Sequence, residues 1–185
     1  MFDFHPAASR FGAVAGAVTP ADLDRPSPCA GWTVRDLLDH AASGPRFFAA
    51  IARHDVTDVR PVEIDESGAW QQALAADLDA LVEAWRHPDA WHGETTVGEL
   101  TFPNEQWAVI GYDEAVLHGW DLAVATGQSY RPSDEMLDVV EPFLEETTSG
   151  PPVEGLWGPP IDTDESRFAR ILGLSGRDPN WARDQ

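Results

Sequence analysis

Lysine is absent from this 185-residue sequence, and cysteine occurs only once, as Cys29. A single cysteine cannot build an internal disulfide framework and is typical of proteins in a reducing compartment. The 12 basic residues are therefore all arginine, against 32 acidic ones, which gives a formal net charge of -20. Such a surface repels phosphate backbones and anionic lipid headgroups, so the composition argues against binding to nucleic acid or to a membrane surface.

Long hydrophobic runs are also lacking. The apolar stretch over residues 11–18 follows Asp3 and has no basic n-region, so it is interpreted as a helix and not as a secretory signal. No stretch approaches the roughly 20 continuous apolar residues that a membrane span needs. The hydrophobic fraction of 43% is enough for a sizeable core in a chain of 185 residues. These features predict a soluble, cytoplasmic protein with one domain over residues 1–185.

Apolar residues that recur every three or four positions predict a series of helices. We expect main helices over residues 8–18, 34–51, 70–85 and 103–126, a shorter one over 133–140 and a last one over 164–174. Thr33 and Asp36 resemble a capping box at the start of the second helix, which Pro45 is expected to kink. Gly127 is a natural C-cap of the fourth helix, and Pro142 predicts a kink or an early end in the fifth.

The connections between these helices are short to medium in length. Residues 91–102 are rich in threonine and interrupted by glycine, which predicts a loop with a small strand pair, and residues 147–160 form a Gly/Pro-rich loop. Amphipathic helices with such connections favour an all-α helical bundle. The core of a bundle is a common place for a metal site.

Glu114 and His118 are the strongest candidates for such a site. They stand four positions apart and therefore project from the same face of the fourth helix, with Asp121 following on that face. His40 lies one turn after Asp36 on the second helix. If the two helices face each other, His40, Glu114 and His118 can share one ion. Asp36 and Asp121 are then placed to hydrogen-bond the ligating imidazoles as outer partners.

Spacing alone leaves other interpretations open. A Glu and a His at this spacing are often a solvated pair or a core histidine, and Cys29 is more simply a small buried residue than a nucleophile. The tryptophans near the motifs, Trp32, Trp107 and Trp120, are interpreted as core packing. The remaining histidines, His5, His54, His87 and His92, are interpreted as surface residues.

Two motifs in combination indicate a family. Residues 28–40, Pro-Cys-Ala-Gly-Trp-Thr-Val-Arg-Asp-Leu-Leu-Asp-His, and residues 114–127, Glu-Ala-Val-Leu-His-Gly-Trp-Asp-Leu-Ala-Val-Ala-Thr-Gly, resemble the DinB-like metal-binding superfamily. Within it, the chain is most similar to small proteins related to the metal-binding domain of mycothiol-dependent maleylpyruvate isomerase. The sequence Gly-Arg-Asp-Pro-Asn-Trp over residues 176–181 also resembles the usual ending of that group.

The resemblance implies an antiparallel four-helix bundle of the DinB-like type, with short extra C-terminal helices and a divalent metal, usually zinc, at one end. Carried over residue by residue, it implies that His40, Glu114 and His118 are the metal ligands. The length departs from the pattern, because the isomerase has a further C-terminal domain and this sequence has room for only one short helix after Pro160. The thiol-binding surface and the substrate of the isomerase are therefore not carried over.

Three functions remain as hypotheses. The first is a metal-dependent enzyme that uses a low-molecular-weight thiol such as mycothiol, as an S-transferase or a thiol-dependent isomerase acting on a small molecule. The second is a metal-dependent hydrolase, in which the metal lowers the pKa of bound water and Asp36 or Asp121 acts as base. The third is a non-catalytic protein that binds a metal or a small ligand, with a homodimer as one form of this hypothesis. Zinc is the expected metal, and Fe²⁺ and Ni²⁺ also suit two histidines and a carboxylate.

Overall fold

The computed structural model describes residues 1–57, 59–149, 158–163 and 165–182, and in these the fold is mostly helical with one small antiparallel sheet. The helices are α1 (His5–Gly16), α2 (Val34–Ala41), α3 (Gly44–Ala52), α4 (Ala69–Trp85), α5 (Asn104–Thr126), α6 (Asp134–Thr148) and α7 (Arg167–Leu174). The strands are β1 (Glu94–Val97) and β2 (Leu100–Pro103). Short 3₁₀ helices occur at Pro20–Asp22 and Pro88–Trp91. No helix in the described ranges is long and apolar enough to cross a membrane.

The predicted second helix is divided in two. A capping box starts α2, because Thr33 Oγ1 accepts from the Asp36 amide at 3.2 Å and the Asp36 carboxylate accepts from the Thr33 amide at 2.8 Å. The helix ends at Ala41, and α3 begins at Gly44 with Pro45 in its first turn. The backbone N–H that proline lacks would have no partner within the helix at this position. The kink predicted at Pro45 is therefore a complete break. It leaves His40 in the last turn of α2.

The fold is mostly helical, but it also contains a strand pair and is therefore not purely all-α. β1 and β2 pair in register from Glu94 opposite Pro103 to Val97 opposite Leu100. Pro103, expected in the first turn of the fourth helix, is instead the last residue of β2 and the N-cap of α5. Asn104 next to it is fully buried and accepts a 2.8 Å hydrogen bond from the Thr95 hydroxyl, which ties the hairpin to the start of α5.

Helix α5 is the central element of the fold, since it packs against α1, α2, α3 and α6 as well as β2. Close approach on this helix requires glycine. A Cβ atom at Gly111 would lie 2.6 Å from the Phe48 ring, and one at Gly119 would lie 2.8 Å from the Tyr130 hydroxyl. The helix ends as predicted at Gly127, whose φ of 76° is easily adopted only by glycine.

The C-terminal part contains α6 and α7, which pack against each other. Helix α6 continues through Pro142 to Thr148, so the proline does not end it early. Helix α7 begins after its N-cap Ser166, whose hydroxyl accepts from the Ala169 amide, slightly later than predicted. Residues 150–157 of the predicted loop, and Asp164, lie outside the described residues.

Candidate metal centre

His40, Glu114 and His118 converge where the end of α2 meets the middle of α5. Glu114 Oε2 lies 3.0 Å from His40 Nε2 and 3.2 Å from His118 Nε2. The two imidazole rings are 5.0 Å apart and nearly perpendicular. The three donor atoms all lie within 4.8 Å of one another. Two imidazole nitrogens and one carboxylate oxygen at such separations are a donor set that suits a single divalent ion.

The group is buried on one side and accessible on the other. The His118 side chain is 10% exposed, whereas those of His40 and Glu114 are 47% and 38% exposed. Trp32 borders the accessible side, with its ring centroid 5.4 Å from that of His40. A ligand from solvent can therefore reach the group without displacing the core, as a catalytic site with an open coordination position requires.

Asp121 fixes the orientation of His118. Its carboxylate is fully buried, and Oδ2 lies 2.9 Å from His118 Nδ1. When His118 donates its Nδ1 proton to this carboxylate, the lone pair of the neutral ring is on Nε2, which faces Glu114 and His40. The contact is the one proposed for Asp121 from the sequence. It orients an imidazole in the way that carboxylates orient the histidine ligands of known metal sites.

Arg177, which follows α7, holds Asp121 from the other side. Its Nε donates to Oδ1 at 2.9 Å, and its Nη2 donates to Oδ2 at 2.8 Å, so the pair is bidentate. The residue before it, Gly176, has a φ of 76° and passes close to Gly158. Spacing could not have found Arg177, because it lies 56 positions from Asp121. The only sequence signal was its place in the Gly-Arg-Asp-Pro-Asn-Trp ending.

A second group of donors is weaker. Cys29, His118 and Asp121 also bring ligand atoms within 4.8 Å of one another, and Cys29 Sγ donates to Asp121 Oδ2 at 3.5 Å. The guanidinium of Arg177 already lies 2.8 Å from that same oxygen. Its positive charge opposes a metal ion there. The candidate centre is therefore the group of His40, Glu114 and His118.

The charges in the cluster compensate one another. Burial opposes the charged form of Glu114, but hydrogen bonds with His118 and His40 outweigh it and hold its pKa below the ordinary value. Burial also lowers the pKa of His118, but its partners Asp121, Cys29 and Glu114 raise that pKa well above the ordinary value. Arg177 and His118 keep the pKa of Asp121 low despite its burial. A metal ion at the centre would take the place of the proton on His118 Nε2, since ligating imidazoles must be neutral.

Several residues singled out in the sequence have different roles. Asp36 is not placed as the outer partner of an imidazole, because its carboxylate closes the capping box with Thr33 at the opposite end of α2 from His40. Trp32 is 38% exposed beside His40 and is not core packing, whereas Trp107 and Trp120 are buried as predicted. Cys29 is half-buried next to Asp121. The other histidines, His5, His54, His87 and His92, are exposed as predicted.

Two clefts meet at the centre. One has a volume of about 540 Å³, and its walls include Cys29, Trp32 and Arg177. The other has a volume of about 620 Å³ and lies between α3, α5 and the hairpin. His40 and Glu114 line both clefts. Each volume is within the range of about 300–1,000 Å³ typical of small-molecule sites.

Asp113 is a buried carboxyl group next to the centre, and it leads to a prediction about pH. It is 3% exposed, and its Oδ1 has no hydrogen-bond partner among the described residues. Burial, with the nearby charge of Glu114, raises its pKa from 3.8 to about 8. The folded state therefore holds a proton that the unfolded chain releases above about pH 4. This contribution to stability is lost as the pH rises towards 8.

The Asp113→Asn variant, which needs no such proton, is expected to gain stability relative to the parent protein between about pH 5 and pH 8. The difference should grow by up to about 1.4 kcal/mol for each pH unit. Urea unfolding at a series of pH values measures it. Asp79→Asn, at an exposed position of α4, controls for the loss of a formal charge. Parallel curves for the parent and Asp113→Asn would show that Asp113 is not protonated in the folded state.

The fold and the centre together define a class, that of mostly helical proteins with a His, Glu and His group joined across two packed helices. The comparison with protein families identifies the group within it. The sequence model described as the mycothiol maleylpyruvate isomerase N-terminal domain matches residues 4–123. The chain belongs to this family. Its matched region contains His40, Glu114, His118 and Asp121 but not Arg177.

The chain is also similar to two individual proteins. Two uncharacterized proteins from different strains of Mycobacterium tuberculosis are each 30% identical to the chain over 119 residues, which are 64% of this chain. The match spans 63% of the length of each of these relatives.

Solved structures show the same fold. A crystal structure of a mutant of the mycothiol-dependent maleylpyruvate isomerase superposes with a TM-score of 0.57 at 17% identity, and covers 80% of this chain and 75% of that one. A structure of the isomerase itself gives a TM-score of 0.54 at 19% identity, with the same coverage of both chains. At such low identity the likeness concerns the fold alone.

Proposed function

We propose that this chain is a divalent-metal-dependent enzyme that uses a low-molecular-weight thiol such as mycothiol, as an S-transferase or a thiol-dependent isomerase of a small molecule. The observation that carries the proposal is the convergence of His40, Glu114 and His118 beside an accessible cleft. Mycothiol, which the description of its family names, supports the choice of cosubstrate. The reaction and the substrate are part of the proposal, because the matched relatives are covered only over 63% of their length.

Zinc is the proposed metal, held by His40, Glu114 and His118. Two neutral imidazoles and one carboxylate form a ligand set found in zinc enzymes, and Fe²⁺ or Ni²⁺ would also suit it. Bound there, a zinc ion would supply a Lewis-acid position at which a thiol loses its proton at neutral pH. This chemistry would provide a nucleophile without a cysteine of the protein.

The residues around the centre prepare it for that chemistry. Asp121 orients His118 through the 2.9 Å contact, and Arg177 balances the buried charge of Asp121. The 540 Å³ cleft beside them is the proposed site of the thiol cosubstrate. Its walls offer the Arg177 guanidinium and the exposed face of Trp32, which suit a polar thiol with hydroxyl groups.

The proposal includes an arrangement of the helices. We infer that α1, the pair α2 and α3, α4 and α5 form an antiparallel four-helix bundle, to which α6 and α7 are added in a single domain. The packing of α5 on α1 and α3, and of α4 on α1 and α3, supports this arrangement. In it, the candidate centre lies beside the break between α2 and α3.

Cobalt substitution tests the proposal directly. Cobalt-loaded Cys29→Ser protein, which has no cysteine of its own, is titrated with mycothiol and followed by absorption spectroscopy. We expect a new charge-transfer band between sulfur and cobalt, because the thiol would bind as a thiolate at the open position. S-methylated mycothiol is the matched control and should give no band.

The outcomes separate the hypotheses. A protein that takes up about one equivalent of cobalt without a thiol band would favour the hydrolase or the non-catalytic binding protein. A protein that takes up neither cobalt nor zinc would overturn the metal proposal itself.

A further inference from the structure

The 620 Å³ cleft has walls that are mainly apolar. Phe47 and Phe48 come from α3, Ile110 from α5, Val97 from β1, and Val56 from the loop after α3. Phe47, Ile110, Val56 and Val97 are half-buried, so part of each side chain faces the cleft. A concave apolar surface of this size is typical of a small-molecule site, and it stands out on a chain with 32 acidic residues.

The walls of this cleft are held in place by aromatic contacts. The rings of Phe47 and Phe48 are 5.1 Å apart, and that of Phe47 lies 6.1 Å from the Trp107 ring, in each case edge to face. Phe48 in turn packs over Gly111, where no side chain would fit. Because these side chains are held by their neighbours, the aromatic wall of the cleft is formed before any ligand arrives, and a ligand need not pay to order it.

The position of the cleft distinguishes it from a simple surface groove. Its walls include His40 and Glu114, which also line the cleft beside Cys29 and Arg177. Two compartments therefore meet at the same pair of side chains. A reaction between two molecules needs this arrangement, since both must be held with their reacting atoms together.

We propose that the 620 Å³ cleft binds the aromatic or branched aliphatic group of a small organic molecule, with the end of the molecule directed towards His40 and Glu114. The identification of this molecule as the second substrate of the enzyme rests on the proposed function. The binding of an apolar group in the cleft does not, because it depends only on the shape and chemistry of the walls.

A binding measurement tests the assignment without any catalytic turnover. The probe is 4-phenylbutan-1-ol, titrated into the full chain by calorimetry, with 1,4-butanediol as the polar control. We expect the phenyl compound to bind and the diol not to bind. Val97→Asp, which places a carboxylate at the rim of the cleft, is expected to weaken binding at least about tenfold, since an apolar group would then have to lie against a charge.

The hairpin offers a matched control. Leu100 is paired with Val97 across the strands, is 53% exposed and does not line the cleft, so Leu100→Asp adds the same charge to the same hairpin. It should leave the affinity for the probe unchanged. Val56→Asp repeats the test from a different element, in case Val97→Asp disturbs the strand pair.

Equal affinity in Val97→Asp and Leu100→Asp, or no binding of the phenyl compound to the parent, would overturn the assignment. The cobalt and mycothiol titration of the Cys29→Ser protein, into which the probe is also titrated, keeps this result separate from the proposed function. Probe binding without the thiol band would retain the cleft and reject the thiol-dependent enzyme. A thiol band without probe binding would retain the thiol-dependent enzyme and reject the cleft as a binding site.

Discussion

The His118→Ala variant is expected to lose zinc binding almost completely, with a fall in affinity well beyond the roughly 10–100-fold that follows loss of an outer partner of a metal site. His118 supplies one of the three donor atoms of the candidate centre and is the one that Asp121 orients. Its removal leaves one imidazole and one carboxylate, too few protein ligands for a typical zinc site. Elemental analysis of the untagged protein and competition with a chromophoric chelator measure the loss.

The chain contains a suitable control for this result. Glu83 and His87 have the same spacing as Glu114 and His118, but their side chains are 65% and 71% exposed and 3.9 Å apart. The His87→Ala variant should therefore keep the zinc content of the parent. His40→Ala repeats the test at an exposed position, where the substitution costs little packing. Full zinc content in both His118→Ala and His40→Ala would reject the ligand set.

The Arg177→Met variant is expected to lower the free energy of unfolding by about 3 kcal/mol. Removing one partner of a buried ion pair costs about 3–5 kcal/mol, because the remaining charge is left uncompensated. The lower end applies here, since Asp121 keeps its contact with His118. Urea unfolding of the metal-free protein measures the change, and the double variant Arg177→Met/Asp121→Asn should recover part of the loss.

Arg167→Met is the matched control for Arg177→Met. Arg167 also contacts two carboxylate oxygens, on Asp138 and Glu141, but the Asp138 side chain is 69% exposed. An exposed ion pair contributes little because water and salt screen it. The effect at Arg167 should therefore be much smaller. Similar decreases in the free energy of unfolding in the two variants would show that the buried pair with Asp121 contributes no more than the exposed one.

The helices could be predicted from the sequence because their signals are local. The apolar stripe of α4, the capping box of α2 and the glycine at the end of α5 all depend on residues within a few positions of one another. The same local rule placed Glu114 and His118 on one face. The motif that includes His40 added the third candidate, and the structure places all three together. Their binding of a metal stays a prediction.

The missed features depend on distant contacts or on competition between two roles. Arg177 is joined to Asp121 by the path of the chain after α7, which no spacing records. Asp36 stands one turn before His40, but it is the third residue of α2, and its carboxylate accepts a hydrogen bond from the free amide of Thr33. Trp32 is large and apolar, yet it lies in the connection before α2, where it borders a cleft.

Helix α5 and the apolar cleft, which both adjoin the centre, differ in how well they tolerate substitutions. Helix α5, with helices on several sides, carries Glu114, His118 and Asp121, so a substitution that shifts it would disturb the core and the donors together. The apolar cleft is lined in part by the hairpin and by the loop after α3, where sequence changes are better tolerated. Substitutions in the hairpin and in this loop are therefore expected to alter the walls of the cleft while leaving the positions of Glu114 and His118 on α5 unchanged.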